Sequence, residues 1–296
     1  ANKRLTTEVL TMKIAVSAES TVDLTKELLE EFKITTVPFH ILLGDETKLD
    51  GEVTPTEIIE YVNAHKVLPK TSAVNEYQFE EYFTELLKTN DYVVHFSLSS
   101  EMSSAYNNAV KVAEKLGKVY VIDSRSLSTG IALQCIYARK LADAGKDAET
   151  IVEECKKRIP YVQASFALKR VDYLYKGGRC SSLVYLGANL LRIRPEIIVE
   201  DGKMKSGNKY RGNFDRVVES YCKDVLERFD TPDLEEAFVT YTTADDATVE
   251  IAVNALKEAG FKNIHITHAG GTITSHCGEN CLGILYINDG GKKTGD

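Results

Sequence analysis

Strand and helix signals alternate along the first half of this 296-residue chain, and that order restricts its fold more than any other feature. Short apolar runs at 14–16, 92–96 and 119–122 are separated by stretches of helical periodicity that begin at capping residues, Thr54 among them. Strands joined through helices form parallel sheets with helices packed on their faces. We therefore predict an α/β fold whose N-terminal domain, 12–159, is a parallel sheet with flanking helices.

Local sequence patterns in this half predict particular helices and a strand. Asp23 precedes a stretch of helical periodicity and is predicted to cap a helix over 24–32. The run 36–43 is apolar and β-prone, so we predict one strand there, and Pro38 places it at a sheet edge. Asn75, with a glutamine three residues later, predicts a helix start with a capping box.

The pattern changes after Pro160. Asp201-Gly202 separates two β-prone runs, which is typical of a hairpin, and helical patterns follow. We predict a C-terminal mixed α/β domain over 160–288. Residues 1–11 are expected to be an extension outside the fold, and residues 289–296 a frayed tail.

Composition excludes several classes of protein. The net charge is −8, from 36 basic and 44 acidic residues, so the chain lacks the basic surface that binding to nucleic-acid phosphates needs. No apolar run approaches the roughly 20 residues of a membrane-spanning helix, and the N-terminus has no apolar signal-peptide core. The six cysteines are spread along the chain, as reduced thiols are. These features predict a cytoplasmic protein that does not bind nucleic acid.

Hydroxyl side chains are dense where the predicted strands end, in loops at 17–21, 97–104 and 123–128. The carboxyl ends of parallel strands share one edge of a sheet, where ligands bind, so we expect these loops to converge on one site. Thr71-Ser72 and Ser103-Ser104 each stand at a predicted helix start, where backbone N–H groups and hydroxyls bind a small anion such as a carboxylate or a phosphate. Each pair alone is more typical of a plain helix cap, and only the joint cluster favours an anion site.

His276 comes just before the last predicted strand, and a histidine beside an anion can donate a hydrogen bond to it. A partly buried histidine bonded to backbone is the alternative interpretation. Together with His268, Cys277 and Cys281 it has the residue types of a zinc site, but the spacing fits no common zinc pattern, so we predict no metal. The glycine-rich nucleotide loops and the G-x-S-x-G elbow of serine hydrolases are absent from the sequence.

Several motifs occur together in the order of one known family. They are E-S-T-V-D-L at 19–24, K-T-S at 70–72, S-S-E-M-S-S-A-Y at 99–106, D-S-R at 123–125, Y-L-Y-K-G-G-R at 173–179, the stretch 190–195 followed by Asp201-Gly202 and Arg211, and H-C-G-E-N at 276–280. On these motifs the sequence resembles the DegV family of bacterial fatty-acid-binding proteins over 12–288. The resemblance implies a two-domain DegV-type fold with a ligand tunnel between the two domains.

The resemblance also implies a lipid carrier rather than a complete enzyme. It implies one long-chain fatty acid bound in the tunnel and presented to a separate fatty acid kinase catalytic subunit, which phosphorylates the carboxylate. No cofactor or metal is implied beyond the bound fatty acid. Transient contact with a membrane is expected where the fatty acid is exchanged.

The implied site has a polar end and an apolar end. The family's carboxylate contacts correspond to Thr71 and Ser103, with Ser104 and His276 beside them. The head-group neighbourhood or the kinase contact is expected to include Arg211, Arg179, Ser20 and Ser124. Candidates for the acyl tunnel are Phe96, Phe166, Leu168, Leu186 and Ile284, and core packing accounts for these apolar residues equally well.

The sequence departs from the family pattern at Ser104-Ala105, where the family has Gly-Thr, and at Glu279-Asn280, where it has Pro-Gly. A serine is strained where a glycine has positive φ, whereas asparagine tolerates the left-handed region. Two other functions stay open. One is a phosphoryl- or acyl-transfer enzyme, because the family's fold is related to that of dihydroxyacetone kinases, and the other is a regulatory protein whose ligand gates a partner.

Overall fold

The structure, a computed structural model, describes residues 11–291, and these contain three sheets. The strands are β1 (Ile14–Glu19), β2 (Ile34–Val37), β3 (His40–Leu43), β4 (Glu46–Leu49), β5 (Lys70–Ser72), β6 (Tyr92–Ser97), β7 (Val119–Asp123), β8 (Val162–Gln163), β9 (Ser165–Leu168), β10 (Arg194–Glu200), β11 (Lys203–Tyr210), β12 (Glu236–Tyr241), β13 (Asn263–His268) and β14 (Cys281–Ile287).

The helices lie between these strands. They are α1 (Lys26–Glu31), α2 (Pro55–His65), α3 (Glu76–Leu87), α4 (Ala105–Leu116), α5 (Thr129–Asp143), α6 (Ala148–Arg158), α7 (Asp172–Gly177), α8 (Phe214–Arg228), α9 (Asp246–Ala259) and α10 (Gly271–Cys277). Short 3₁₀ helices lie at Ser20–Val22, Ile159–Tyr161 and Ser181–Asn189.

The first sheet is wholly parallel, in the order β2-β1-β6-β7, which confirms the predicted N-terminal architecture. Every residue of β1 is buried, as expected for a strand covered on both faces. Helix α5 contacts β1 and β6 on one side and β12 and β14 on the other. Its first ten residues are all buried. Helix α5 is therefore the layer that joins the two larger sheets.

The second sheet is mixed, in the order β11-β10-β9-β14-β12-β13, with β8 paired to β14. Strands β12 and β13 are parallel and the other pairs are antiparallel, as predicted for the C-terminal half. Alternate residues of β14 face opposite cores: Leu285 packs in the core shared with the first sheet, and Ile284 packs with α8 and α9. The hairpin predicted at Asp201-Gly202 joins β10 and β11.

A small antiparallel sheet, β4-β3-β5, is absent from the sequence prediction. The run 36–43 was expected to be one strand, and this is wrong: it divides around Pro38 between β2, at the edge of the parallel sheet, and β3. Proline lacks an N–H and interrupts a ladder, so the chain changes sheets there. Pairing of β3 with β5 sets Thr71 opposite Ile41.

Two helix starts match the prediction and a third does not. Asn75 forms the predicted capping box with Gln78, and Thr54 caps α2 ahead of Pro55. Asp23 does not cap the first helix, because Thr25 accepts the hydrogen bond from Leu28 N and α1 begins later than expected. Asp23 instead lies in the left-handed region (φ 56) and is buried.

The chain ends are only partly described. Residues 1–10 and 292–296, which include most of the predicted extension and tail, lie outside the described residues. In the described part of the predicted tail, Asp289 accepts hydrogen bonds from Arg158 at 2.7 and 3.1 Å, and Gly290 N donates to Thr231 O at 2.7 Å. These bonds join Asp289 to α6 and Gly290 to the segment after α8. Within residues 11–291, no helix is long and apolar enough to cross a bilayer.

Candidate ligand-binding site

A cavity of about 190 Å³ lies between α10, β5 and the loop that follows β6. We call it the head-group cavity. Its lining residues come from both halves of the chain: Phe39, Thr71, Ala73, Leu98, Met102, Ser103, Ser104, Leu127, Arg179, Met204, Thr272, Ile273, His276 and Cys277. Several hydroxyls, an imidazole and a guanidinium therefore share one cavity with apolar side chains.

Thr71 and His276 form a pair across this cavity. Thr71 Oγ1 lies 2.8 Å from His276 Nε2, which is hydrogen-bond distance. Burial, followed by the positive charge of Arg179, lowers the pKa of His276 to about 4. The imidazole is therefore neutral at neutral pH and offers one donor and one acceptor nitrogen.

Helix α10, which carries His276, is held at its N-terminus by two buried carboxylates from the first half of the chain. Asp23 accepts from Gly270 N at 2.8 Å and Asp50 accepts from Gly271 N at 2.9 Å. Ser128 Oγ donates to Asp23, and Ser20 Oγ donates to Asp50. Burial raises the pKa of Asp23 well above its ordinary value, while the bond from Ser128 acts in the opposite direction. These contacts fix α10 relative to β3 and β5.

Ser103 and Ser104 lie at the start of α4. Ser103 Oγ accepts from Ala105 N at 3.1 Å, whereas Ser104 makes no capping bond through its side chain. Ser104 has φ −79° and ψ −3°, so the expected strain of a serine in place of glycine does not arise. Asn280 occupies the left-handed region, with φ 50°, as predicted from its tolerance of that region.

The loop after β6 is anchored by the buried side chain of Glu19. Glu19 accepts from Leu98 N at 2.9 Å and from Ser97 Oγ at 2.8 Å. Glu19 is also paired with His95 Nε2. Because Leu98 lines the head-group cavity, this network sets the position of one cavity wall.

Arg179 supplies the only guanidinium among the lining residues of this cavity. Its Nε donates to Met102 O at 3.2 Å, and its Nη1 donates to Gly177 O at 2.9 Å. These bonds leave the charge beside the hydroxyls, where it attracts an anion.

A second, apolar pocket of about 30 Å³ adjoins the first and shares Leu127, Ile273 and Cys277 with it. Its other lining residues are Ser128, Ala164, Ser165, Phe166, Thr240, Tyr241, Thr242, Ala269, Cys281, Gly283 and Leu285. The two pockets together form a site that is polar at one end and apolar at the other. This arrangement suits an amphipathic ligand.

A larger cavity, of about 540 Å³, lies elsewhere, between the segment 159–164 and β10. None of the site residues predicted from the sequence lines it. Within residues 11–291, no group of three or more His, Cys, Asp and Glu side chains is arranged to hold a metal ion.

The sequence profile of the DegV family, described as a family of uncharacterised proteins, matches residues 13–289. The chain belongs to the DegV family. A Thermotoga maritima DegV relative named fatty acid-binding protein is 28% identical over 92% of this chain and 96% of its own.

Solved DegV structures share the fold. A Thermotoga maritima protein whose structure is reported to reveal a fatty acid binding function superposes with a TM-score of 0.80 at 27% identity, covering 93% of this chain and 99% of that one. A Thermus thermophilus DegV protein described as binding fatty acid superposes with a TM-score of 0.87 at 23% identity, covering 94% and 100% of the two chains. The DegV-type α/β fold predicted from the motifs, with a parallel and a mixed sheet, is thereby confirmed.

The residues that the DegV resemblance implied for the polar end fall into two groups. Thr71, Ser103, Ser104, His276 and Arg179 all line the head-group cavity. Three others lie outside its lining. Ser20 is bonded to Asp50 and accepts from Phe39 N, buried Ser124 donates to Ser126 O, and Arg211 is exposed after β11. Of the three strand-end loops expected to converge, 97–104 and 123–128 supply lining residues of the head-group cavity. The loop 17–21 contacts the cavity wall through the hydrogen bond from Phe39 N to Ser20 Oγ.

The tunnel candidates are similarly divided. Phe166 lines the apolar pocket. Phe96, Leu168 and Leu186 are buried in the larger core, and Ile284 faces α8 and α9, so that Leu285 lines the pocket in its place. The alternation of β14 explains this shift by one residue.

Sequence reasoning missed Thr272 and Met204, which line the head-group cavity from α10 and β11. Helix α10 was not predicted, because its seven residues, GTITSHC, show no apolar periodicity long enough to identify a helix. Met204 follows the Asp201-Gly202 turn, and only the packing of that hairpin onto the first sheet brings it to the cavity.

Proposed function

We propose that this protein binds a long-chain fatty acid, with the carboxylate in the head-group cavity and the acyl chain in the apolar pocket. The observation that carries the proposal is the joining of a hydroxyl-rich cavity, which contains Thr71, Ser103 and His276, to an apolar pocket through shared walls. Fatty acid binding by the DegV relatives supports the same ligand class.

The hydrogen-bond donors at the polar end of the site suit a carboxylate. A carboxylate accepts several hydrogen bonds, and a bond to a charged group contributes about 1.5–3 kcal/mol. Thr71, Ser103 and Ser104 supply hydroxyls, and Arg179 supplies the positive charge. A neutral His276 contributes a hydrogen bond without a charge.

The apolar end accounts for most of the proposed affinity. Burial of one CH₂ group contributes about 0.8 kcal/mol, so a 16-carbon chain contributes roughly 12 kcal/mol before the costs of ordering. The apolar pocket, at about 30 Å³, is far smaller than the roughly 300–1,000 Å³ of pockets that enclose a whole small ligand. The side chains around Phe166 and Leu285 must therefore move apart when the chain enters.

We further propose that the protein is a carrier in the cytoplasm. The resemblance supports presentation of the bound acid to a fatty acid kinase catalytic subunit, with Arg211 and Arg179 as candidate contacts. It also supports transient membrane contact during lipid exchange. Ser20 and Ser124 act in this proposal through the loops that they hold rather than by touching the ligand.

The second candidate function is acyl transfer. A threonine hydroxyl and a histidine are the residue types of a nucleophile and its general base. The hydrogen-bond distance between Thr71 Oγ1 and His276 Nε2 is the observation that favours acyl transfer. Hydrolysis of an acyl ester by the purified chain, lost in a Thr71→Ala variant, would support it over the carrier function. A ligand-gated regulatory role predicts instead that a partner protein binds only when fatty acid is present.

A double substitution, Thr71→Ala with Ser103→Ala, tests the proposed head-group contacts. Titration with hexadecanoic acid should show affinity reduced by about a hundredfold or more, since each of the two lost bonds to a charged group contributes about 1.5–3 kcal/mol. Ser72→Ala is the matched control, because Ser72 is exposed and does not line the cavity. Equal affinity in the double variant and the wild type would refute the head-group assignment.

A further inference from the structure

Thr272 on α10 combines burial, an unsatisfied hydroxyl and a position in the wall of the head-group cavity. The residue is 2% exposed. Its Oγ1 is buried and has no hydrogen-bond partner within residues 11–291. Leaving a buried hydroxyl unpaired costs about 1–3 kcal/mol. A buried hydroxyl without a partner in a cavity wall therefore needs a physical reason.

The hydrogen bonds usual within a helix do not satisfy the Thr272 hydroxyl. A threonine in a helix commonly donates back to the carbonyl four residues earlier. Ser275, on the same helix, does so, because its Oγ donates to Gly271 O at 2.7 Å. Thr272 is only the second residue of α10, so the carbonyl four residues before it belongs to His268 in β13, and the Thr272 hydroxyl has no partner within residues 11–291.

We propose that Thr272 is an additional head-group ligand, whose hydroxyl donates to a carboxylate oxygen of the bound fatty acid. This inference rests on the proposed function and adds a specificity-determining residue to it. Rotation about one side-chain bond, between the two rotamers that threonine adopts in helices, is enough to reorient the hydroxyl. Thr71, Ser103 and Thr272 then surround the carboxylate from β5, α4 and α10.

Thr274 provides a matched control within the same helix. It is also a threonine, is 0% exposed, and also has a buried hydroxyl without a partner among the described residues. It does not line the head-group cavity. The two positions therefore share residue type, helix, burial and an unpaired hydroxyl, and they differ in their access to the cavity.

The test compares Thr272→Val, Thr272→Ser and Thr274→Val with the wild type after removal of bound lipid. Each protein is titrated with heptadecanoic acid and with heptadecan-1-ol, which has the same chain length but no carboxylate. We expect Thr272→Val to bind the acid about tenfold more weakly and the alcohol with little change. Thr272→Ser and Thr274→Val should bind the acid as the wild type does.

Unfolding of the ligand-free proteins separates this role from a structural one. Removing an unsatisfied hydroxyl should leave the melting temperature of both valine variants unchanged or higher. Unchanged acid affinity in Thr272→Val would overturn the inference, as would an equal loss of acid and alcohol binding. If the wild type binds neither compound, the proposed function itself fails, and that result differs from a wild type that binds and a Thr272→Val variant that binds equally well.

Discussion

The imidazole of His276 takes up a proton at different pH values in the folded and unfolded chain. Its pKa is lowered to about 4 in the folded state by burial and by Arg179, whereas an exposed histidine titrates near about 6.5. Between these values the unfolded chain binds the proton and the folded chain does not. Acidification through this window therefore destabilises the fold.

Replacing His276 should remove this pH dependence. We expect the free energy of unfolding to fall less between pH 7 and pH 4.5 in His276→Gln than in the wild type, with a difference of at most about 3 kcal/mol that partial exposure reduces. Urea unfolding at both pH values measures it. His65→Gln, at an exposed position on α2, should behave as the wild type, and an unchanged slope in His276→Gln would contradict the assigned shift.

Glu19 is a second buried residue whose hydrogen bonds organise the site. It is 1% exposed and binds Leu98 N, Ser97 Oγ and His95. Breaking a buried pair costs up to about 3–5 kcal/mol, so we expect Glu19→Gln, which keeps part of the hydrogen bonding, to lower the free energy of unfolding by about 1–3 kcal/mol.

The same substitution should weaken fatty acid binding, because Leu98 lines the head-group cavity. Urea unfolding and a hexadecanoic acid titration check the two effects. Glu81→Gln, an exposed substitution on α3, serves as the control for loss of one negative charge. Wild-type stability in Glu19→Gln would show that this network does not anchor the loop.

Sequence reasoning identified Glu19 as part of a motif but could not identify its partner. His95 meets Glu19 only because β1 and β6 pair in register, with Ser17 opposite His95. That register is a property of the assembled sheet. By contrast, Thr71, Ser103 and His276 were predicted as neighbours of one head group through the family resemblance, and all three line one cavity.

At the scale of elements, α10 is the piece that connects the two halves of the site. A Cβ atom at Gly271 would lie 2.2 Å from Ile41 Cδ1 and 3.3 Å from Asp50 Oδ1. The helix can approach β3 this closely only because the residue is glycine. The positions of Thr272, the next residue, and of His276, five residues after the glycine, thus depend on Gly271.

Gly271→Ala should therefore destabilise the fold by about 1–3 kcal/mol, the usual cost of overpacking, and weaken hexadecanoic acid binding by displacing α10. Gly177→Ala is the control, since its added methyl would meet only His276 Nδ1, at an ordinary 3.4 Å. Thermal unfolding and titration of both variants give the comparison. A Gly271→Ala protein as stable as Gly177→Ala would mean that the contact with Ile41 relaxes freely.

Element boundaries were predictable where local chemistry sets them. The capping residues Thr54 and Asn75 begin α2 and α3 as the sequence indicates, because a cap satisfies backbone N–H groups within a few residues. The predictions at Pro38 and Asp23 were wrong because contacts distant in the sequence, rather than local chemistry, determine the structure there. The chain changes sheets at Pro38, and Asp23 accepts hydrogen bonds from Ser128 and Gly270, which lie far along the chain.

At the scale of the whole molecule, the β10–β11 hairpin fastens the second sheet to the first. Ser99 Oγ donates to Gly202 O at 2.6 Å, and Arg125 donates to Asp201 O. Met204, just past the turn, lines the head-group cavity. The predicted domain boundary near 159–160 stays a prediction, because the larger core includes residues from both sides of it.

Loosening this turn should speed the release of ligand. Gly202 has φ 76°, and a Cβ atom there would lie 2.6 Å from Ser99 Oγ and 2.8 Å from Arg125 Cζ. We expect Gly202→Ala to release bound hexadecanoic acid several-fold faster, measured by transfer to acceptor vesicles. Lys209→Ala, an exposed substitution further along β11, should not change the rate. An unchanged release rate in Gly202→Ala would show that ligand leaves by a route independent of the hairpin.

The most direct test of the account is native mass spectrometry of protein purified without added lipid, followed by denaturation and identification of any released compound. We expect an added mass that resolves to one fatty acid per chain. We also expect protein stripped of lipid to take up one equivalent of hexadecanoic or heptadecanoic acid. Protein that is empty as purified and takes up neither acid would contradict fatty acid binding and leave the head-group cavity to a different anion.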